Sequence, residues 1–186
     1  MSPTVLLLAD AGIPMIAVTF PLMLLLLIPV IVAEGFLCKK WLGLSTWEAM
    51  KSNALSNLAS TIVGVPLAWA IMFGMELAAF GIVDRSDAIR NWHSPIAKVI
   101  WFFLALAWIG PPSAANVWLI PSAILGLLIP FFLVSCLIEY FVVRFMVGAS
   151  EVDLKVRVAV RNANLVTYGV MFFDTTTWLV FAYLHG

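Results

Sequence analysis

Charge is scarce in this chain. Ten Lys and Arg and ten Asp and Glu make up 11% of its 186 residues and leave no net charge. Without a basic excess, bulk electrostatics draws it to neither nucleic acid nor an anionic surface. Cysteine is nearly absent. Cys38 and Cys136 stand far apart, which excludes a disulfide framework or a zinc cluster and leaves each as a small buried hydrophobe. His93 and His185 have no further ligand at characteristic spacing, so no metal, haem or other cofactor is expected. There is no Gly-rich phosphate loop, no Ser/His/Asp set and no Cys/His nucleophile, so no catalytic residue is expected and the chain does not read as an enzyme. The opening "MSPTVLLLADAG" lacks a positive n-region and a cleavage site, and is expected to be retained rather than removed as a signal peptide.

What fills the space is apolar. Hydrophobic residues make up 63% of the chain and mean hydropathy is +1.08, more apolar surface than a soluble core of this size buries. The stretches near 14–33, 54–82, 114–143 and 163–183 each supply the roughly 20 residues that cross about 30 Å of hydrocarbon as a helix. The expected fold is therefore all-α: a polytopic integral membrane protein with four transmembrane helices in two hairpins. Residues 96–110, "IAKVIWFFLALAWIG", are short for a crossing and read as a re-entrant segment, with a fifth crossing as the alternative. The eight tryptophans read as interfacial anchors and core aromatics.

The two hairpins share words. At a displacement of 105 residues, 34–65 aligns with 139–170 without a gap, and eight positions are identical: Glu34/Glu139, Phe36/Phe141, Gly43/Gly148, Ser45/Ser150, Ala54/Ala159, Asn57/Asn162, Gly64/Gly169 and Val65/Val170. Lys39/Arg144 and Glu48/Asp153 keep their charge. The implied repeat covers 14–82 and 114–186 of a single transmembrane domain, joined by 83–113. In each copy the glycine turns the chain, and a serine three residues before an acid, "STWE" and "SEVD", caps the second arm. On the second arm, Glu151 and Asp153 stand four residues before Lys155 and Arg157, a spacing that pairs charges on a solvated helix start. Parallel copies place both turns on one side of the membrane, and the matched bases and caps favour that arrangement. Positive-inside counting does not decide it, since parallel copies and five crossings both divide the bases seven against three.

Helical rise places Glu34 about 13 Å from its turn and Asn57 about 18 Å along the returning arm, similar heights for an acid and an amide. The same reasoning pairs Glu139 with Asn162. Each hairpin is thus expected to be held in register by one intramembrane polar pair. The other readings of these carboxyls are snorkelling to the headgroups and an ion-coupled site, which requires both acids to converge on one cavity. Asp174, in "MFFDTTTWL", is a third intramembrane acid, read as part of a satisfied buried polar cluster or of one near the far interface, with Thr175, Thr176 and Thr177 able to bond it or their own backbone. Ser52, Ser56, Ser60, Gly64 and Ala68 recur every four residues and form a helix-packing ridge that admits another backbone closely, either from this chain or from another subunit.

Two functions are consistent with these features. The first is a non-catalytic accessory, assembly or scaffold subunit of the bacterial cytoplasmic membrane or an equivalent, packed in the lipid bilayer against other membrane subunits or copies of itself. The alternative is a small ion- or proton-coupled transporter or channel, with Pro21, Pro29, Pro66 and Pro130 as helix breakers beside the intramembrane carboxylates.

Overall fold

The computed structural model describes residues 13–83, 108–109, 118–148 and 153–185. Helix α1 runs Met15–Leu42 through Pro21 and Pro29. Gly43 ends it with φ +70° and an N–H that donates to Lys39 O at 3.0 Å. Only glycine adopts that left-handed conformation without steric cost, so the turn is written into the sequence. Ser45 then starts α2 (Thr46–Ala59) with a complete capping box. Its hydroxyl accepts from Glu48 N at 3.3 Å, and the Glu48 carboxylate accepts from Ser45 N at 3.0 Å. Helix α2 continues through a π-helical turn, Ser60–Gly64, into α3 (Val65–Val83), so the three form one rod. The second hairpin repeats the plan with α4 (Leu119–Val147), which contains Pro130, and α5 (Asp153–His185). Gly148 ends α4 at φ +69°.

Among the described residues, four helical rods are long and apolar enough to cross a membrane, which together with the composition makes this an integral membrane protein. Most of the segment 96–110 lies outside the described residues, and so does the Ser150 cap. Trp108–Ile109 (β2) pairs antiparallel with Ile13–Pro14 (β1), a short ladder beside the start of α1.

The rods form a ring: α1 against α2, α2 against α4, α4 against α5, and α5 back against α1. Leu42, next to the first turn, packs on Tyr140, Val143, Val156 and Val160 beside the second. Both turns therefore sit at one end of the bundle, as the parallel reading requires. At that end Arg144 Nε lies 3.2 Å from Asp153 Oδ1, and Tyr140 OH donates to the same carboxylate. Asp153 thus pairs across the turn with Arg144, and the expected pairing along α5 with Arg157 gives way. The Arg157 guanidinium instead lies 5.3 Å from the centre of the Tyr140 ring. Toward the other end the core consists of Val65, Ala68 and Met72 against Ala123, Leu127 and Phe131.

The distribution of polarity is the reverse of a soluble protein's. Leu25, Ile28 and Phe145 are 76%, 73% and 84% exposed, while Glu34, Asn53, Asn57, Glu139 and Asn164 are buried. In hydrocarbon an apolar side chain loses nothing by facing outward, whereas a polar one needs an internal partner.

The small-residue ridge faces inward. Ser52, Ser56, Ser60 and Ala68 are buried, and a Cβ placed on Gly64 would meet Ile138 Cδ1 at 3.1 Å and Val134 Cγ1 at 3.3 Å. The ridge is therefore closed by α4 of this same chain. Its serine hydroxyls donate back along their own rod, Ser52 to Ala49 O at 3.1 Å and Ser56 to Asn53 O at 3.2 Å.

Candidate functional site: a carboxyl pair inside the bundle

The two glutamates meet where the four rods converge. Glu34 comes from the middle of α1 and Glu139 from the equivalent height of α4, each nine residues before its turn glycine. That is about 13 Å of helix. Both carboxyl groups line one small cavity, and their donors stand one helical turn apart on the same two rods. Both are sequestered, with 1% and 3% of their surface exposed.

Four neutral donors surround the pair. Asn57 Nδ2 donates to Glu34 Oε2 at 2.8 Å, the partnership expected from helical height. Thr167 Oγ1, from α5 of the other hairpin, donates to Glu34 Oε1 at 2.6 Å. Glu139 receives Asn164 Nδ2 on Oε2 at 2.7 Å and Ser60 Oγ on Oε1 at 2.9 Å. Each carboxyl therefore takes an amide from its own hairpin and a hydroxyl from the opposite one. The stitching runs between hairpins as well as within them.

The partner of Glu139 is Asn164 and not Asn162. Asn162 is half-buried, and its carbonyl accepts from the neighbouring Arg161 at 3.2 Å. The cause is the connector. Helix α2 starts four residues after α1 ends, whereas α5 starts six residues after α4 ends. The ungapped displacement of 105 that matches the first arms thus becomes 107 on the second arms. On that displacement Asn57 matches Asn164 and Ser60 matches Thr167. The buried face of α5, Val156, Ala159, Val160, Ala163, Asn164 and Thr167, has the helical spacing from which this register is readable. The hydroxyl partners Ser60 and Thr167 were not singled out as carboxyl ligands, because a helical serine or threonine ordinarily bonds its own backbone. Both do so here as well, Ser60 to Asn57 O at 3.1 Å and Thr167 to Asn164 O at 3.2 Å.

Two carboxylates brought to one buried cavity repel each other, and each is costly to keep charged there without a counter-charge. No Lys or Arg forms an ion pair with either acid among the described residues, and they contain no group of three or more metal-ligating side chains. Among the described residues, charge balance at the pair is left to a proton or a small cation. Asn164 Oδ1 is buried without a hydrogen-bond partner, an unused acceptor beside Glu139. On the side away from the turns, the pair opens on a cavity of about 40 Å³ lined by Ser60, Ser135 and Tyr168 among others. Ser135 Oγ and Tyr168 OH lie 2.9 Å apart. A water needs roughly 10–15 Å³ measured in this way, so the cavity suits one or two waters and no organic molecule.

The rod bends its hydrogen bonding at the same level. Ser60 opens the π-helical turn Ser60–Gly64, a rare distortion that concentrates at functional sites. Pro29 lies five residues before Glu34 on α1, where it removes a backbone donor.

Asp174 lies elsewhere. It is exposed, far along α5, on a separate and larger cavity. The adjacent threonines do not bond it. Thr176 and Thr177 donate instead to their own backbone, to Phe172 O at 2.7 Å and Phe173 O at 2.9 Å, one of the two bonding modes expected of them. Cys38 is buried against Ala159 and Ala163, and both cysteines are free thiols.

No family model, no curated protein and no solved structure matches the chain. Its chemistry must be argued from these side chains alone.

Proposed function

We propose that this chain is a small proton-coupled transport protein of the bacterial cytoplasmic membrane or an equivalent, with Glu34 and Glu139 as its proton-carrying pair. One observation carries the reading: the two acids of the two hairpins converge, buried and without a basic counter-charge among the described residues, on one water-sized cavity. An intramembrane carboxyl costs several kcal/mol if charged and unpaired, and is retained in spans chiefly where it handles ions or protons. A lock between helices needs only one acid and one donor. Bringing two acids to one buried cavity adds a repulsion that only a proton or a cation relieves.

The hairpins support the reading as near-duplicates. Both present a glutamate at the same height, with an amide and a hydroxyl as ligands, as expected of a transporter built from two related halves. The accessory-subunit reading is the second one, favoured by the completeness of the donor shell, which would stitch a scaffold well. It loses the feature that first recommended it, because the small-residue ridge is closed by α4 of this chain and offers no face to a partner.

Liposomes loaded with a pH-sensitive dye test the proposal. The wild-type chain is expected to move protons in response to an imposed gradient, and Glu34→Gln with Glu139→Gln to abolish the movement. Infrared spectroscopy supplies a second readout, the C=O stretch of a protonated carboxylic acid at neutral pH, lost in the double variant. Unchanged flux in the double variant, together with no protonated acid in the wild type, would remove the transport reading. Purification in a fixed ratio with another membrane subunit would then favour the scaffold.

A further inference from the structure

The larger cavity, of about 470 Å³, lies between α1, α4 and α5. Its volume falls in the range of roughly 300–1,000 Å³ that holds drug-sized molecules. Its walls are apolar, with Leu26, Leu127 and Phe131 among them, and Asp174, Thr175 and Trp178 stand together on one helix at its side. Asp174 is the only titratable side chain on that wall, and among the described residues it makes no ion pair. An isolated carboxylate in an apolar wall favours a cationic group, and an indole, a side chain that attracts cations, stands one turn away. Met23, Val30 and Met171 line both this cavity and the small one above the carboxyl pair, so the two are neighbours along the bundle. Thr167 lines the larger cavity while holding Glu34 at 2.6 Å, a direct physical link between them.

We infer that the 470 Å³ cavity binds a hydrophobic organic cation, its charged centre at Asp174 and its apolar body against the α1 and α4 walls. The inference rests on the transport reading for its role, since the carboxyl pair then supplies the protons exchanged against the cation. It stands on the cavity's own geometry for binding. No covalent step is involved. Association places the cation beside the carboxylate, about 10 Å of helix from Thr167, which touches both the cavity and Glu34; a proton given up by the pair on binding passes to bulk water.

The test uses the full chain in lipid nanodiscs and tetraphenylphosphonium as the probe, with triphenylphosphine oxide as a neutral comparator. Saturable binding of the cation is expected, weakened about tenfold or more in Asp174→Asn, the loss of one favourable charge contact. The neutral comparator is expected to bind both forms alike. Val170→Trp, which fills the cavity from a half-exposed position, is expected to block both ligands while leaving the thermal unfolding of the chain in place. Equal affinity of wild type and Asp174→Asn for the cation would overturn the inference, and so would the absence of saturable binding. Equal affinity for cation and comparator would make the cavity a groove for acyl chains. A pH dye in weakly buffered solution separates the two proposals: cation binding without proton release leaves the cavity standing and removes the transport reading, while proton movement without cation binding does the reverse.

Discussion

Thr167 Oγ1 donates to Glu34 Oε1 across 133 positions of sequence, and Ser60 Oγ donates to Glu139 Oε1 across 79. These two bonds are the crossed members of the set, since they tie each hairpin's acid to the other hairpin's returning arm. They hold the halves together at the level of the two buried carboxyls.

Removal of a crossed donor therefore loosens the bundle. Thr167→Val and Ser60→Ala are each expected to lower stability by about 1 kcal/mol, within the range of interhelical hydrogen bonds in bilayers. Because both act on one carboxyl pair, the double variant should depart from additivity by about 0.5 kcal/mol or more. Unfolding in mixed micelles, followed by tryptophan fluorescence, measures all three. Strict additivity would mean that the two carboxyls do not communicate.

The register of the second hairpin separates two neighbouring amides. Asn164→Ala removes a buried donor to Glu139 and is expected to cost about 1–3 kcal/mol, the usual penalty for leaving a buried group unpaired. Asn162→Ala touches only Arg161 and should stay within about 0.5 kcal/mol of wild type. The opposite order in the same assay would restore the ungapped register.

Gly64 lies where the second rod packs closely on α4. An added methyl would press on the ends of Ile138 and Val134, both flexible enough to give way, so Gly64→Ala should be tolerated with a small loss. Gly64→Leu cannot be accommodated in the same way and is expected to cost about 1–3 kcal/mol or prevent folding. Expression level and unfolding midpoint read the difference. A silent Gly64→Leu would place α4 away from the ridge.

Both turns lie at one end, so exposed positions near them share one aqueous side. Lys40→Cys and Lys155→Cys, each introduced at an exposed residue, are expected to react with a membrane-impermeant maleimide added to the same side of sealed vesicles, against a background in which the buried Cys38 stays silent. Labelling of the two from opposite sides would make the hairpins inverted and break the meeting of the acids.

Much of the architecture was legible locally. Glycine at the two turns, the serine and glutamate of the first cap and the four apolar runs each depend on neighbouring residues and on the length of hydrocarbon to be crossed, and the structure has them where the sequence places them. Glu34 and Asn57 were readable as partners because a three-residue connector leaves helical heights simple to compare. The second hairpin was not readable by the same count. Two extra residues in its connector rotate every side chain of α5 by about 200° relative to the ungapped alignment, which carries Asn162 off the buried face and brings Asn164 onto it.

Sequence alone thus determined that this is a membrane protein, roughly where it crosses and where it turns, because hydrophobic transfer and turn conformation are properties of short segments. Only the tertiary structure decided that Glu34 and Glu139 line one cavity, that Thr167 and Ser60 cross between hairpins, and that the small-residue ridge is closed by α4. Those outcomes depend on the rotation of each rod about its own axis, and the packing of all four rods against one another sets that angle.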